Sequence, residues 1–322
     1  MQLFVVINPA AGRAQAEEVR RALARYLPPP KWQLTTYETS GRESVPDVVR
    51  QALADGAEWV LAAGGDGTVS AVADGLAGSG VPLGIIPAGT GNALAQELGI
   101  PQNIERAVQL LAGRPPARPL DAIQCDGRHF VLAVGTGMDA YAISGASRQA
   151  KRRLGRLAYL ASTLKVALGV QPRVFTLVAD GRRRRVRAAA ILIANIGTLT
   201  RPMRWGKHIQ PDDGWIDICI LRASNLLDIL LVGWDILMPG RPRRDRNLRF
   251  WRARHQILVL ADRPLPVQGD GEMIGQTPIE LRVAPAAIQV LAPAAAASPM
   301  ERVRELAAAG AERIKGRLAN AG

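Results

Sequence analysis

Three short glycine-rich stretches in the first hundred residues have the composition needed to handle phosphate: Asn8-Pro9-Ala10-Ala11-Gly12, Gly64-Gly65-Asp66-Gly67-Thr68 and Pro87-Ala88-Gly89-Thr90-Gly91-Asn92. Glycine lets a backbone come close to an anion. A helix that starts directly after such a loop adds unused N–H groups and the positive end of its dipole. Thr68 and Thr90 can add hydroxyl donors. Asp66 would repel a phosphate on its own, so on these residues alone it calls for a cation between carboxylate and phosphate, as in a magnesium–nucleotide complex. One such loop is most simply a capped turn, whereas three in one domain point to a shared ligand. No Walker A lysine pattern and no protein-kinase signature is present.

The elements around these loops alternate. Apolar or alternating strand patterns at 3–8, 32–39, 58–63 and 83–87 are interleaved with helical spacing at 14–26, 45–54, 68–76 and 93–98. Alternation of this kind predicts a mostly parallel sheet covered by helices, with the loops at the carboxyl ends of the strands lining one crevice. From about Leu120 to residue 292 strand signals dominate. Asp126-Gly127 and Asp180-Gly181 each join two strand-like runs, as hairpin turns do. One helical stretch, 147–168, interrupts them. The fold class expected is therefore α/β followed by an antiparallel β-sandwich, with domains at 1–120 and 121–293. After a small linker, a terminal helix at 300–318 would pack back on the first domain.

Of the 322 residues 48% are hydrophobic, which fits a globular chain with two cores. Cys125 and Cys219 match neither a zinc spacing nor a disulfide framework and read as two buried thiols. The three histidines are scattered, so a histidine metal site has little support. The opening residues read as a strand and not a signal peptide. The most apolar later stretch, 226–239, is too short and too charged to span a bilayer. A cytoplasmic protein is expected. The net charge of +13 is uneven: residues 1–122 hold ten Lys/Arg against twelve Asp/Glu, and the rest hold 31 against 16. The second half should therefore meet something anionic, nucleic acid or an acidic membrane. No nucleic-acid motif or stacking-aromatic pattern is present, so nucleic acid is not expected as a partner. The apolar run 226–238 is followed by Arg241, Arg243, Arg244 and Arg246 and by Phe250 and Trp251. That order suits an anionic membrane surface as well as it suits a core helix with a solvated basic loop.

The GGDGT and PAGTGN loops, with Asn8-Pro9 to Gly12 before them, resemble the catalytic domain of the diacylglycerol kinase and sphingosine kinase superfamily, particularly its bacterial lipid kinases. Later pieces extend the likeness in order to Pro293: Gly135-Thr136-Gly137-Met138-Asp139-Ala140, Gly155-Arg156-Leu157-Ala158-Tyr159, Asp212-Asp213-Gly214-Trp215-Ile216-Asp217 and Pro264 to Glu272. The resemblance implies a nucleotide-binding domain joined to the sandwich, with the active site in the cleft between them. ATP with Mg²⁺ would be the donor and a membrane lipid hydroxyl the acceptor. It implies ATP binding at Asn8, Pro9, Ala10, Ala11, Gly12, Thr39, Gly65, Asp66, Gly67, Thr68, Val69, Ser70, Ala71 and Thr90. It implies Glu272 as general base, with Asp66 beside the chemistry, and a structural magnesium held by the Asp213 carboxylate and the backbone carbonyls of Gln210 and Trp215. Ser70 and Ala71 depart from the family's Asn-Glu, so a polar contact near the phosphates is missing or comes from the Ser70 hydroxyl. The loop after Asn195 also departs from the family pattern. An NAD kinase-like phosphotransferase and a noncatalytic lipid-binding relative are the alternatives. The late Asp-Gly-Glu and the Gly-Thr-Gly-Asn loop speak against the first, and retention of Asp66 and Glu272 against the second. Edge-strand pairing of the sandwich would allow a homodimer.

Overall fold

A computed structural model describes residues 1–137, 172–200, 203–206, 208–225, 227–228, 231–232 and 247–294. The helical stretch at 147–168, the Gly155–Tyr159 motif, the basic run 241–246 and the terminal helix at 300–318 lie outside the described residues.

The first part is the expected alternation. Strands β1 (Gln2–Ile7), β2 (Gln33–Glu38), β3 (Trp59–Gly64) and β4 (Pro82–Pro87) pair in parallel in the order β2-β1-β3-β4. Between them run α1 (Arg13–Tyr26), α2 (Val45–Ala54) and α3 (Asp66–Leu76), followed by α4 (Ala93–Glu97) and α5 (Ile104–Ala112). Helices cover both faces. Val72, Leu76, Leu94 and Ala107 pack with Val60 and Leu83 in one core, while Val19, Leu23, Val108 and Leu111 pack with Val5 and Leu61 in the other. Helix α5 was not legible beyond the stop at Gly99-Ile100-Pro101. It starts on the side chain of Asn103, which accepts the Arg106 N–H, and buries Ile104, Ala107, Val108 and Leu111 at helical spacing.

The second part is a sandwich. The strands β5 (Ala117–Cys125), β6 (Arg128–Phe130), β8 (Arg173–Ala179), β9 (Arg182–Ala188), β15 (Gln256–Ala261) and β18 (Ile279–Leu291) form one wall. The strands β14 (Leu248–Ala253), β13 (Ile216–Leu221), β10 (Ala190–Ala194), β7 (Ala133–Gly137), β16 (Pro266–Gly269) and β17 (Glu272–Gln276) form the other, in that order. A short hairpin, β11 (Thr198–Thr200) with β12 (Met203–Arg204), stands apart. Phe175, Leu177, Ile191, Ile218, Ile257 and Leu281 fill the interior between the walls. The turns at Asp126-Gly127 and Asp180-Gly181 have positive φ at both residues, as their composition demands. The strand-like run after the Asp180-Gly181 turn is two strands. β9 stays in the first wall as its arginine-rich edge, and the chain then crosses at Ala189 into β10 of the second. Both cysteines are buried, and burial pushes the Cys125 thiol up to about 11.

The boundary expected at Leu120 falls inside β5, because the two parts share one sheet. Strand β18 pairs antiparallel with β15 through its first half, and through Gln289–Leu291 it lies parallel to β4. It changes course at a bulge between Ala284 and Ile288. The buried Asp121 carboxylate pins that bulge by accepting the N–H groups of Ala286 (2.8 Å) and Gly214 (2.7 Å). Beside it Asn195, fully buried, donates its amide to the carbonyls of Asp121 (2.7 Å) and Val131 (2.9 Å), joining β5 to the entry of β7. Asn195→Ala should leave those two carbonyls without a donor and cost about 1–3 kcal/mol. Urea unfolding would register this as a lower midpoint; an unchanged midpoint would contradict the bridging role.

Candidate active site

All the glycine-rich loops meet at the carboxyl edge of the parallel strands. Asn8 directly follows β1. Its Oδ1 accepts the Ala10 N–H (2.9 Å), capping the 3-10 turn Pro9–Ala11, and its Nδ2 donates to Thr68 Oγ1 (2.9 Å). The first loop is thereby tied to the second. Thr39, at the end of β2, donates its N–H to the Ile7 carbonyl and sits beside Asn8. Gly12 has φ +141°, which a side chain would strain.

The second and third loops touch through their backbones. A Cβ built on Gly89 would lie 2.4 Å from the Gly65 Cα, so only glycine permits the approach. Asn92, in the left-handed region, closes the third loop by accepting the Gly89 N–H and donating to the Gly89 carbonyl. Gly65 caps α3: its carbonyl accepts the Thr68 and Val69 N–H groups, and those of Asp66 and Gly67 have no carbonyl partner within the helix. Gly67 and Thr90 are exposed at this end.

Asp66 has a different explanation from the one its sequence context suggested. Its Oδ1 accepts the Ala93 N–H (2.6 Å), and the neighbouring N–H groups at the start of α4 also face it. Burial pushes this carboxyl up, and those N–H groups pull it back. The carboxylate serves as the cap that locks α4 to α3, so no cation is needed to account for its position. The rest of the stretch divides. The Thr68 hydroxyl is engaged by Asn8, Val69 is in the core and Ala71 is half-buried. Ser70 does not reach toward the phosphate loops: its Oγ donates to Asp270 Oδ2 (2.6 Å).

Asp270 joins the two halves of the molecule. It is the first residue of the β16–β17 turn, with φ +49° followed by Gly271 at φ +91°. Besides Ser70 it accepts the N–H groups of Val131 (2.8 Å), Leu132 (3.0 Å) and Ala133 (2.9 Å). Burial raises its pKa, and the four donors offset part of that cost. Ser70 is one helical turn from Asp66, about 6 Å of rise along α3. Glu272 follows Asp270 by two residues and starts β17. Its side chain is 66% exposed, and its Oε2 accepts from Arg128 on β6 (2.9 Å). One turn further along α3, the buried Asp74 accepts the His129 N–H (2.7 Å), with Nδ1 of the same ring at 3.3 Å. Burial works to raise the Asp74 carboxyl, but the His129 hydrogen bonds and charge, with Arg128, outweigh it and hold the carboxyl below its ordinary value. Thus β6 and the Glu272 hairpin are both clipped to the helix that begins at the glycine-rich loops.

The loop after Asn195 is also docked. Its Thr198 N–H and Arg204 guanidinium donate to Glu97 at the end of α4 (2.8 and 2.7 Å), and Glu97 is buried. Residues 201–202 of that loop lie outside the described residues. The contacts of Glu97, Asp74 and Arg128 were not anticipated. For Asp74 the one signal is a polar residue recurring on the otherwise apolar helix α3.

Gln210, Asp213 and Trp215 lie on one turn, but they do not fit a cation as arranged. Asp213 Oδ1 accepts the Trp215 N–H (3.0 Å), and its Oδ2 is paired with the Arg252 guanidinium, which also covers the Trp215 ring (5.4 Å to the centroid). A guanidinium occupies the oxygen a magnesium ion would need. Among the described residues no group of three His, Cys, Asp or Glu is placed to hold a metal.

Comparison with known proteins agrees with this architecture. Residues 2–125 match the diacylglycerol kinase catalytic domain, and residues 132–292 match the YegS C-terminal NAD kinase beta sandwich-like domain. The chain is 33% identical to a diacylglycerol kinase of Mycobacterium tuberculosis over 252 residues, covering 75% of this chain and 79% of that one. It is 28% identical to a diacylglycerol kinase of Bacillus subtilis over 289 residues, covering 86% and 91%. The crystal structure of a diacylglycerol kinase from Bacillus anthracis superimposes with a TM-score of 0.73 at 22% identity, covering 91% of this chain and 98% of that one, which shows a shared fold.

The contact between Gly65 and Gly89 yields a direct expectation. Gly89→Ala should drive the two loops apart, lower the thermal midpoint and weaken ATP binding by about tenfold or more, the equivalent of about 1.4 kcal/mol. Calorimetric titration with ATP measures it; unaltered affinity would show that the loop contact does not shape the nucleotide site.

Proposed function

The chain belongs to the diacylglycerol kinase superfamily, and from that premise we propose that it transfers the γ-phosphoryl group of ATP to a hydroxyl of a membrane lipid. The observation that carries this reading is the clasp between Ser70 and Asp270. It holds the turn bearing Glu272 within about one helical turn of the phosphate loops, along the same helix.

In this reading the ATP phosphates lie against the backbone N–H groups at the start of α3 and in the Asn8–Gly12 and Thr90 loops. These are fixed donors that need no rearrangement as charge shifts. Glu272, directed by Arg128, accepts the proton of the lipid hydroxyl. The hydroxyl oxygen forms a bond to the γ-phosphorus, the bond from that phosphorus to the β–γ bridging oxygen breaks, and ADP leaves with the electron pair. ATP enters as its magnesium complex, the ion screening the phosphate charges; no residue of this chain is assigned to it. Ser70 acts through Asp270 as a positioning residue, so the departure from the family's asparagine has a structural role here.

Access to a lipid requires contact with a bilayer. Among the described residues no helix is long and apolar enough to cross one. Residues 227–228 and 231–232 are helical. There Leu227 (64% exposed) and Leu231 (48% exposed) face outward while Val232 is buried. This exposed leucine pair supports docking of the sandwich on the inner face of the membrane.

Phosphoryl transfer from γ-labelled ATP to a panel of diacylglycerol, phosphatidylglycerol and sphingoid acceptors in mixed micelles tests the proposal. Wild type should label one class, and Glu272→Gln should lose about 100-fold or more of the rate, the scale of a lost general base. No label on any lipid, or full activity in the variant, would contradict it.

A further inference from the structure

The two walls of the sandwich end on β9 and β14, and next to these edge strands lies a cavity of about 350 Å³. Three arginines line it: Arg187 from β9, Arg222 just after β13 and Arg249 from β14. All three residues are exposed, and among the described residues no carboxylate forms an ion pair with any of them. One acid, Asp228, also lines the cavity, but it is committed locally. Its Oδ2 accepts the Ser224 N–H (2.8 Å), and its Oδ1 lies 3.4 Å from the Asn247 amide. The lining therefore keeps an excess of two positive charges in a concave space. Like charges gathered this way repel unless an anion sits among them, and the planar fork of arginine matches phosphate oxygens.

Two further observations select the kind of anion. Leu227 adjoins the lining residue Asp228 in sequence, so the exposed leucine pair and the basic cavity share one corner of the fold. Strand β9 adds Arg182, Arg183, Arg184 and Arg185, all exposed. An apolar wedge beside a basic concavity suits an interface where acyl chains and phosphates lie side by side, and not a soluble anion. The cavity is also remote from the chemistry. Strand β14 is the first in its six-stranded wall and β17, with Glu272, the last, a separation of about 24 Å at the usual strand spacing.

We propose that the Arg187–Arg222–Arg249 cavity binds the phosphate of an anionic phospholipid headgroup and sets the protein on the bilayer, separately from the acceptor lipid in the active site. The proposal rests on the reading of this chain as a lipid kinase that docks on membranes. Headgroup binding at this corner fixes how the sandwich meets the membrane and leaves the distant cleft to take its own lipid.

Flotation of the full chain with phosphatidylcholine vesicles, with and without phosphatidylserine, tests it. Phosphatidylserine carries a phosphodiester but no hydroxyl that could serve as acceptor. The variant Arg187→Gln/Arg222→Gln/Arg249→Gln should lose about tenfold or more in affinity for the anionic vesicles, given several-fold per arginine at such a surface. A charge-matched variant on the first domain, Arg21→Gln/Arg25→Gln/Arg106→Gln, should lose about twofold or less, since those charges are screened from the interface. Equal losses in both variants, or wild-type binding by the cavity variant, would overturn the site. So would saturable uptake of inorganic phosphate that the cavity variant abolishes while its vesicle binding stays intact, which marks a soluble-phosphate site. Transfer to lipid in neutral detergent micelles separates the two readings. A wild type active there whose cavity variant still binds vesicles normally sinks only this inference, and a wild type that phosphorylates no lipid sinks the lipid-kinase reading beneath it.

Discussion

The molecule depends on one polar stripe along helix α3. Asp66, Ser70 and Asp74 recur every four residues, so they lie along one side of a helix whose other residues are mostly buried and apolar. A buried polar group must find partners, and each of these finds them on a different element. Asp66 takes the start of α4, Ser70 the Asp270 turn, and Asp74 the His129 end of β6. Three local requirements for hydrogen bonds thereby become a global alignment. The glycine-rich loops, the turn before Glu272 and the strand that carries Arg128 are all set against one rigid rod.

That alignment holds because the two parts of the chain are not free bodies. Strand β18 belongs to both, antiparallel to β15 at one end and parallel to β4 at the other. The change of direction is held by Asp121, a buried carboxylate whose raised pKa reflects burial and the nearby Asp213 and Asp212 charges, opposed by the Ala286 and Gly214 N–H groups. A cleft between parts joined by a continuous sheet keeps its geometry better than one between tethered domains. In the proposed reaction a carboxylate supplied by one part can then serve a phosphate held by the other.

Much of this was legible in the sequence because it depends on local chemistry. The β/α alternation, the sandwich and the Asp-Gly turns follow from periodicity and from residues that accept positive φ. The three glycine loops were placed at strand ends for the same reason. What could not be read was partnership in space. Asp66 looked like an acid in need of a cation because nothing in its neighbourhood announces that the N–H of Ala93, 27 residues later, points at it. For Ser70 the sequence leaves open a contact near the phosphates or none at all, whereas its partner is 200 residues away. The magnesium set at Gln210, Asp213 and Trp215 overlooked Arg252, which spacing cannot place on Asp213. The return of β18 to the first sheet was hidden because its pattern is broken by Pro285 at the bulge.

The central claim is that the Ser70–Asp270 clasp sets the Glu272 turn relative to the phosphate loops. A double-mutant cycle on kcat for lipid phosphorylation, with Ser70→Ala and Asp270→Asn, measures it most directly. The account predicts that each single change lowers kcat while ATP affinity holds, and that the double variant is hardly worse than the poorer single, a coupling of about 1–3 kcal/mol. Additive losses, or a Ser70→Ala enzyme with undiminished kcat, would contradict it.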